Sequence, residues 1–225
     1  MKLLIATSNP HKLKEIKDIF DDATGIDIVS LKEFPDLPPV VEDGRTLVEN
    51  AVKKAKSGSQ RTGLLSLGED TGLEVECLNG APGVFSARFA GEKCSYADNN
   101  RKLLGLLKGV PDEKRKATFR CVAAICSPQA SYGMSASAGP SEFSSVLSSG
   151  FSDANYKIYI VEGTISGYIS KEERGTNGFG YDPLFIIPAS GRTFAEISQE
   201  EKNKTSHRAT AMRKAKKLLL EISEK

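Results

Sequence analysis

In the stretch Ser66-Leu67-Gly68-Glu69-Asp70-Thr71-Gly72-Leu73-Glu74-Val75, two adjacent carboxylates and a hydroxyl sit between glycines and are flanked by apolar runs. An apolar interior has no place for a bare charge, and glycine favours tight turns. The pattern predicts two strands, Leu64 to Leu67 and Leu73 to Leu78, joined by a turn that gathers negative charge where a strand ends. Alone, a Glu-Asp pair is most simply a solvated loop. Its weight comes from the company it keeps elsewhere in the chain.

At 225 residues the chain is long enough to bury a core without disulfides or structural metal. Apolar residues at 39%, charged residues at 27% and a formal charge of +2 describe an ordinary globular protein with no field that calls for nucleic acid or a membrane surface. Cys77, Cys94, Cys121 and Cys126 show no paired spacing, and only His11 and His207 could join them, so a zinc site is not expected. Reduced thiols are the default. No apolar stretch approaches the roughly 20 residues of a membrane span, and the expected location is the cytoplasm.

Leu3 to Ala6 reads as a short buried strand. Thr7-Ser8-Asn9-Pro10 then places a good N-cap at Asn9 and a proline suited to the first turn of a helix running to Phe20, with Leu13, Ile16, Ile19 and Phe20 inward. Unpaired N–H groups and the positive end of the dipole make such a helix start an anion site. A strand from Ile26 to Leu31, a proline-rich connector from Phe34 to Val40 and the acidic turn Val41-Glu42-Asp43-Gly44 precede a helix from about Thr46 to Lys56, on which Glu49 and Asn50 could face a site. Tyr96 to Leu107 is a further amphipathic helix, and Thr118–Cys126 with Lys157–Ile169 reads as a long antiparallel hairpin. Between them, residues 131–152 hold nine serines and three glycines and read as a loop insertion spanning about 127–156. A glycine-rich loop, Arg174 to Pro183, leads to a strand at Leu184 to Ile187, and Ser206 can cap a helix running to the C-terminus.

Three ingredients recur: carboxylates able to hold a divalent cation, cations near helix starts, and aromatic rings in a loop that backbone can approach. Together they suggest a nucleoside phosphate. Acids alone would repel phosphate, so Glu42, Glu69 and Asp70 make sense beside it with Mg²⁺ between them. Lys12, Lys202 and Arg208 would neutralise remaining phosphate charge. Each piece also has a plain structural reading as a cap, a turn or a packed loop, which their joint occurrence at element boundaries weakens.

Thr7-Ser8-Asn9-x-x-Lys12-x-x-Glu15, Glu42 before Gly44 with Glu49-Asn50-Ala51, Glu69-Asp70-Thr71-Gly72-Leu73, Gly80-Ala81-Pro82-Gly83 with Ser86-Ala87-Arg88, Gly178-Phe179-Gly180-Tyr181-Asp182-Pro183, and Glu201-Lys202 with Ser206-His207-Arg208 resemble, in that order, the inosine/xanthosine triphosphate pyrophosphatase family. Glu69-Asp70-Thr71 is similar to the eukaryotic version of a motif that many bacterial members write as Asp-Asp-Ser. The resemblance implies an α/β fold, a mixed sheet with long curved strands in a single two-lobed domain, with the lobes flanking a central active-site cleft. It implies Mg²⁺-dependent hydrolysis of non-standard purine nucleoside triphosphates (ITP, dITP, XTP) to monophosphate and pyrophosphate, by a homodimer; the charge balance leads to no expected nucleic-acid or membrane partner.

Carried over by position, the resemblance makes Asp70 and Lys12 catalytic. Glu42 and Asp70, with Glu69 as a further candidate, would serve the metal. Thr7, Ser8, Asn9 and Lys12 would grip the triphosphate, with Thr71 alongside, while Glu15 would influence base choice. Phe179, Gly180, Tyr181, Asp182, Lys202, His207 and Arg208 would surround the nucleotide, with Phe179 or Tyr181 stacking on the base. A related Maf-like pyrophosphatase would begin Ser-x-Ser-Pro-Arg-Arg, which Thr7 to Lys12 does not match. A non-catalytic nucleotide-binding module is the alternative from another class.

Overall fold

Leu3, Leu4 and Ile5 form the centre of β1 (Lys2–Ile5) and are fully buried, as an uninterrupted apolar run predicts for a strand covered on both faces. In the computed structural model, which describes residues 1–128 and 156–223, β1 runs parallel to both β2 (Asp27–Ser30) and β3 (Leu65–Val75). With β4 (Pro82–Gly83), β5 (Lys116–Pro128), β6 (Tyr156–Ile169) and β7 (Phe185–Ile186), the hydrogen-bonded order is β2-β1-β3-β5-β6-β7, and β4 lies beside β3. β4 and β7 are antiparallel to their neighbours. So is β5 to β6. The Ile169 N–H donates to the Arg115 carbonyl at 2.9 Å and the Thr118 and Ser166 hydroxyls meet at 3.1 Å, so stepping forward on one strand steps back on the other. The expected α/β fold with a mixed sheet is what forms.

The chain builds two compact units, Met1–Asp70 with Val122–Glu162 and Ala211–Lys225, and Thr71–Cys121 with Gly163–Thr210. In the first, α1 (Pro10–Phe20) buries Ile16, Ile19 and Phe20, α2 (Leu47–Thr62) buries Ala51 and Ala55, and α5 (His207–Ser223) contributes Met212, Ala215, Leu218 and Leu219. In the second, Leu73, Leu103, Leu107, Phe119, Phe185 and Phe194 belong to one cluster, which draws on α3 (Tyr96–Leu106).

Several local expectations are corrected. Glu69-Asp70-Thr71-Gly72 is not a turn: Leu65–Val75 is one continuous strand. Gly68 and Gly72 serve close approach instead of chain reversal. A Cβ on Gly68 would run into the backbone of Ala51 and Ala55 on α2, and one on Gly72 would lie 2.6 Å from the Gly83 carbonyl oxygen on β4. α2 continues past Lys56 to Thr62. Gly58 is where the helix lies on Ser66 and Leu4, and the stop comes at Gly63 with φ +70°. A short helix, α4 (Gln199–Thr205), precedes Ser206 and is started by a Ser198–Glu201 capping box. Ser206 caps α5 as expected, its hydroxyl accepting from the Ala209 N–H at 3.1 Å. Ser127 and Pro128 belong to β5 and Tyr156 opens β6, so the ends of the expected insertion are strand; the Ser-rich stretch 131–152 lies outside the described residues.

Because backbone atoms of α2 cannot yield as a side chain can, Gly68→Ala should cost about 2 kcal/mol and lower Tm by roughly 4–8 °C. Gly105→Ala, on a helix with open space around it, should be neutral or slightly stabilising. Thermal unfolding of both variants checks this; equal effects would contradict a tight contact between β3 and α2.

Candidate active site

The first unit gathers charge around β3. Successive residues of a strand point to opposite faces, and the two adjacent acids accordingly pair with different lysines. The Lys12 Nζ lies 2.7 Å from the Glu69 Oε1, and the Lys54 Nζ lies 3.2 Å from the Asp70 Oδ1. Lys54 also reaches the Glu42 Oε2 at 2.9 Å, so its ammonium holds two carboxylates at once. The Asn50 amide donates to the Asp70 Oδ2 at 3.0 Å, while its carbonyl accepts from the Gly44 N–H at 2.8 Å. This last bond ties the acidic turn to α2, and a Cβ on Gly44 would lie 2.5 Å from the Asn50 Oδ1. Glu49, by contrast, caps its own helix by accepting from the Arg45 N–H at 2.7 Å.

Burial pushes the Asp70 carboxyl above the ordinary aspartate range; Lys54, Lys12 and Asn50 oppose this and Glu69 adds to it. Burial works against the Lys54 ammonium as well, but Asp70, Glu69 and Glu42 overcome it and hold its pKa above the usual lysine value. Lys54 therefore stays charged. Asp70 is an acid whose ionised form is held in place yet binds a proton more readily than a solvated one.

At the start of α1, the Asn9 side chain accepts from the N–H groups of His11 and Lys12 at 3.0 and 3.3 Å, and the Thr7 hydroxyl accepts from the Asn9 N–H at 3.2 Å. Thr7 and Asn9 thus shape the turn, Ser8 is exposed, and Glu15 is buried on the same helix. Among the described residues no three acidic, histidine or cysteine side chains cluster closely enough to cage a metal ion. Glu42 and Asp70 nevertheless fit a hard cation. Both are oxygen donors drawn to one position that already attracts positive charge, and Mg²⁺ commonly binds through one or two carboxylates with water and substrate phosphate completing its shell.

The second unit holds the aromatic loop. Asp182 is buried, and its Oδ2 accepts from the Phe179 N–H at 2.8 Å and the Lys202 Nζ at 2.5 Å. Gly178, at φ +74°, leaves room for that carboxylate, which a Cβ would strike. The Lys202 Nζ stands 4.8 Å from the Phe179 ring centroid and the Arg208 Cζ 5.5 Å from it, while the Arg208 Nη2 donates to the Thr71 hydroxyl at 3.2 Å. These are cation–π distances. His207 stacks on Phe119 at 4.5 Å within the aromatic core.

Of the two rings considered as a stacking face, Phe179 is half-buried and Tyr181 is almost fully buried. The Tyr181 hydroxyl donates to the Ser86 carbonyl at 3.0 Å, and burial pushes its pKa up. Ser86 in turn donates to the Gly83 carbonyl at 2.6 Å and accepts from the Leu73 N–H at 2.8 Å, joining the loop to β3 and β4. Gly180 takes a left-handed φ of +66°. The sequence gives no role to Lys54, and it offers Ser86 as part of a family motif without a role. Lys54 was within reach, since it stands one helical turn beyond Asn50 on the same face; Ser86 carries no local signal for its bonds.

Comparison with known proteins places this geometry in context. The profile described as the Ham1 family matches residues 3–218. A dITP/XTP pyrophosphatase of Desulforamulus reducens is 44% identical over 219 residues, covering 97% of this chain and 96% of the relative. One of Geobacter sulfurreducens is 43% identical over 211 residues, covering 94% and 92%. Among solved structures, a HAM1 protein from Coxiella burnetii superposes with a TM-score of 0.77 at 35% identity, covering 98% of this chain and 99% of that one.

The charge balance around β3 generates a stability prediction. Lys12 and Lys54 face Glu42, Glu69 and Asp70, leaving one negative charge in excess. A carboxyl whose folded pKa is raised weakens the fold when it ionises. That penalty is absent below the unfolded pKa of about 3.9, grows as pH rises, and is complete above the folded pKa. In metal-free buffer Asp70→Asn should therefore melt above the wild type at about pH 7, and the gain should vanish near pH 4. A lower Tm at neutral pH would mean that the Lys54 pair outweighs burial.

Proposed function

This chain belongs to the Ham1 family, and from that premise we propose that it hydrolyses non-standard purine nucleoside triphosphates, ITP, dITP and XTP, to the monophosphate and pyrophosphate. The observation that carries the reading is a buried aspartate, Asp70, held between Asn50 and Lys54 beside Glu42. A packed core would not choose this group, because burying and orienting a carboxylate is costly unless it has a use.

In the proposed reaction water attacks the α-phosphorus, the bond to the bridging oxygen breaks, and pyrophosphate leaves with that oxygen. Asp70 orients the water and accepts its proton; its raised proton affinity suits the task. Lys12 and Lys54 stabilise charge on the phosphate oxygens, aided by the positive end of α1. Glu42 and Asp70 would hold Mg²⁺, which supplies Lewis-acid polarisation of a phosphoryl oxygen when bound.

Base choice follows from hydrogen-bond inventories. Hypoxanthine and xanthine present a 6-oxo acceptor and adenine a 6-amino donor, so the donor-only side chains Lys202 and Arg208 suit the former and leave the latter opposed. Phe179 supplies stacking common to all purines. Assembly as a homodimer and action in the cytoplasm complete the proposal. Among the described residues no helix is long and apolar enough to cross a membrane.

Product analysis on ITP, XTP and ATP should yield pyrophosphate and monophosphate with strong preference against ATP. Turnover should be lost on chelation of divalent cations and reduced by about 10²-fold or more in Asp70→Asn. Orthophosphate as product, or indifference to the base, would overturn the reading.

A further inference from the structure

We propose that Tyr96 is a second aromatic wall of the base site, a substrate-contacting residue that works with Phe179. The proposal rests on the reading of Phe179 as the stacking face given above. Tyr96 is 40% exposed, although it is a large aromatic at a helix start where a small polar residue would serve the helix equally well. Its ring leans toward Phe179, with centroids 5.9 Å apart and planes at 45°. Lys202 and Arg208 approach that same Phe179 ring. Tyr96 therefore leans on the same ring that the two cations suited to a 6-oxo base approach.

The backbone that carries Tyr96 is anchored by hydrogen bonds. The Ser95 hydroxyl accepts from the Asp98 N–H at 3.2 Å while the Asp98 carboxylate accepts from the Ser95 N–H at 2.9 Å, a reciprocal cap that fixes the first turn of α3. Asn99 then anchors the helix to the preceding segment, donating to the Ala87 carbonyl at 3.2 Å and accepting from the Ala90 N–H at 2.7 Å. A side chain held on a fixed element contributes to binding without first having to be ordered. A purine laid parallel to Phe179 would meet the Tyr96 ring at the same 45° tilt, and aromatic rings within about 7 Å of each other attract. The ring, not the hydroxyl, makes this contact.

Steady-state kinetics on dITP and XTP test the proposal. Tyr96→Ala should raise KM by about 2- to 12-fold, the range of such aromatic contacts, with kcat and Tm unchanged. Tyr96→Phe should retain the wild-type KM. An unmoved KM in Tyr96→Ala, an equal loss in Tyr96→Phe, or a joint fall in kcat and Tm would each overturn it, the last by making Tyr96 a structural residue. Wild-type turnover measured in parallel separates the two readings. Absence of any wild-type turnover defeats the proposed function and this inference with it, whereas turnover with an unmoved KM defeats only the role of Tyr96.

Discussion

The carboxylate cluster of the candidate site depends on how closely α2 lies on β3. Gly68 has no side chain, and the backbone of Ala51 and Ala55 occupies the space one would need. That contact lets Asn50 and Lys54, on the buried face of α2, reach the strand residue Asp70 with hydrogen-bonding geometry. A strand carrying two adjacent carboxylates through a protein interior is sustained by such partners: Lys12 from α1 for one acid, Lys54 and Asn50 from α2 for the other. The polar cluster and the packing are one construction. If the helix moved away, the acids would lose their partners and remain buried.

The second unit solves a different problem with the same economy of parts. A single buried carboxylate, Asp182, fixes both the backbone of Phe179 and the ammonium of Lys202. The orientation of the half-exposed ring and the cation above it are thereby set together, while Tyr181, drawn inward to Ser86, anchors the far side of the loop. Thr71 belongs to this second group, its hydroxyl accepting from the Arg208 Nη2 at 3.2 Å.

Features set by neighbours in sequence were legible in it. Asn9-Pro10, Thr46 and Ser206 start helices as their local chemistry requires, and the apolar run of β1 is buried as its composition requires. The errors fall where distant partners decide. Gly-Glu-Asp-Thr-Gly has the composition of a turn, and only the approach of α2 and β4 makes it strand interior. The helix expected to end near Lys56 runs on to Thr62, and Gly58 is where it lies on Ser66 and Leu4. The charged residues of the site were legible as a set because their motifs, taken together, resemble a family. Their individual partners were not: that Lys54 bridges Glu42 and Asp70, or that Asp182 is spent on the loop backbone, follows from tertiary contacts that no local pattern encodes.

The central claim is that the buried aspartate serves attack of water on the α-phosphorus. The most direct test is hydrolysis of dITP in water enriched in oxygen-18, followed by mass spectrometry of both products. The account predicts that the label enters the monophosphate and that the pyrophosphate stays unlabelled. Label in the pyrophosphate would mean attack at the β-phosphorus and would contradict it.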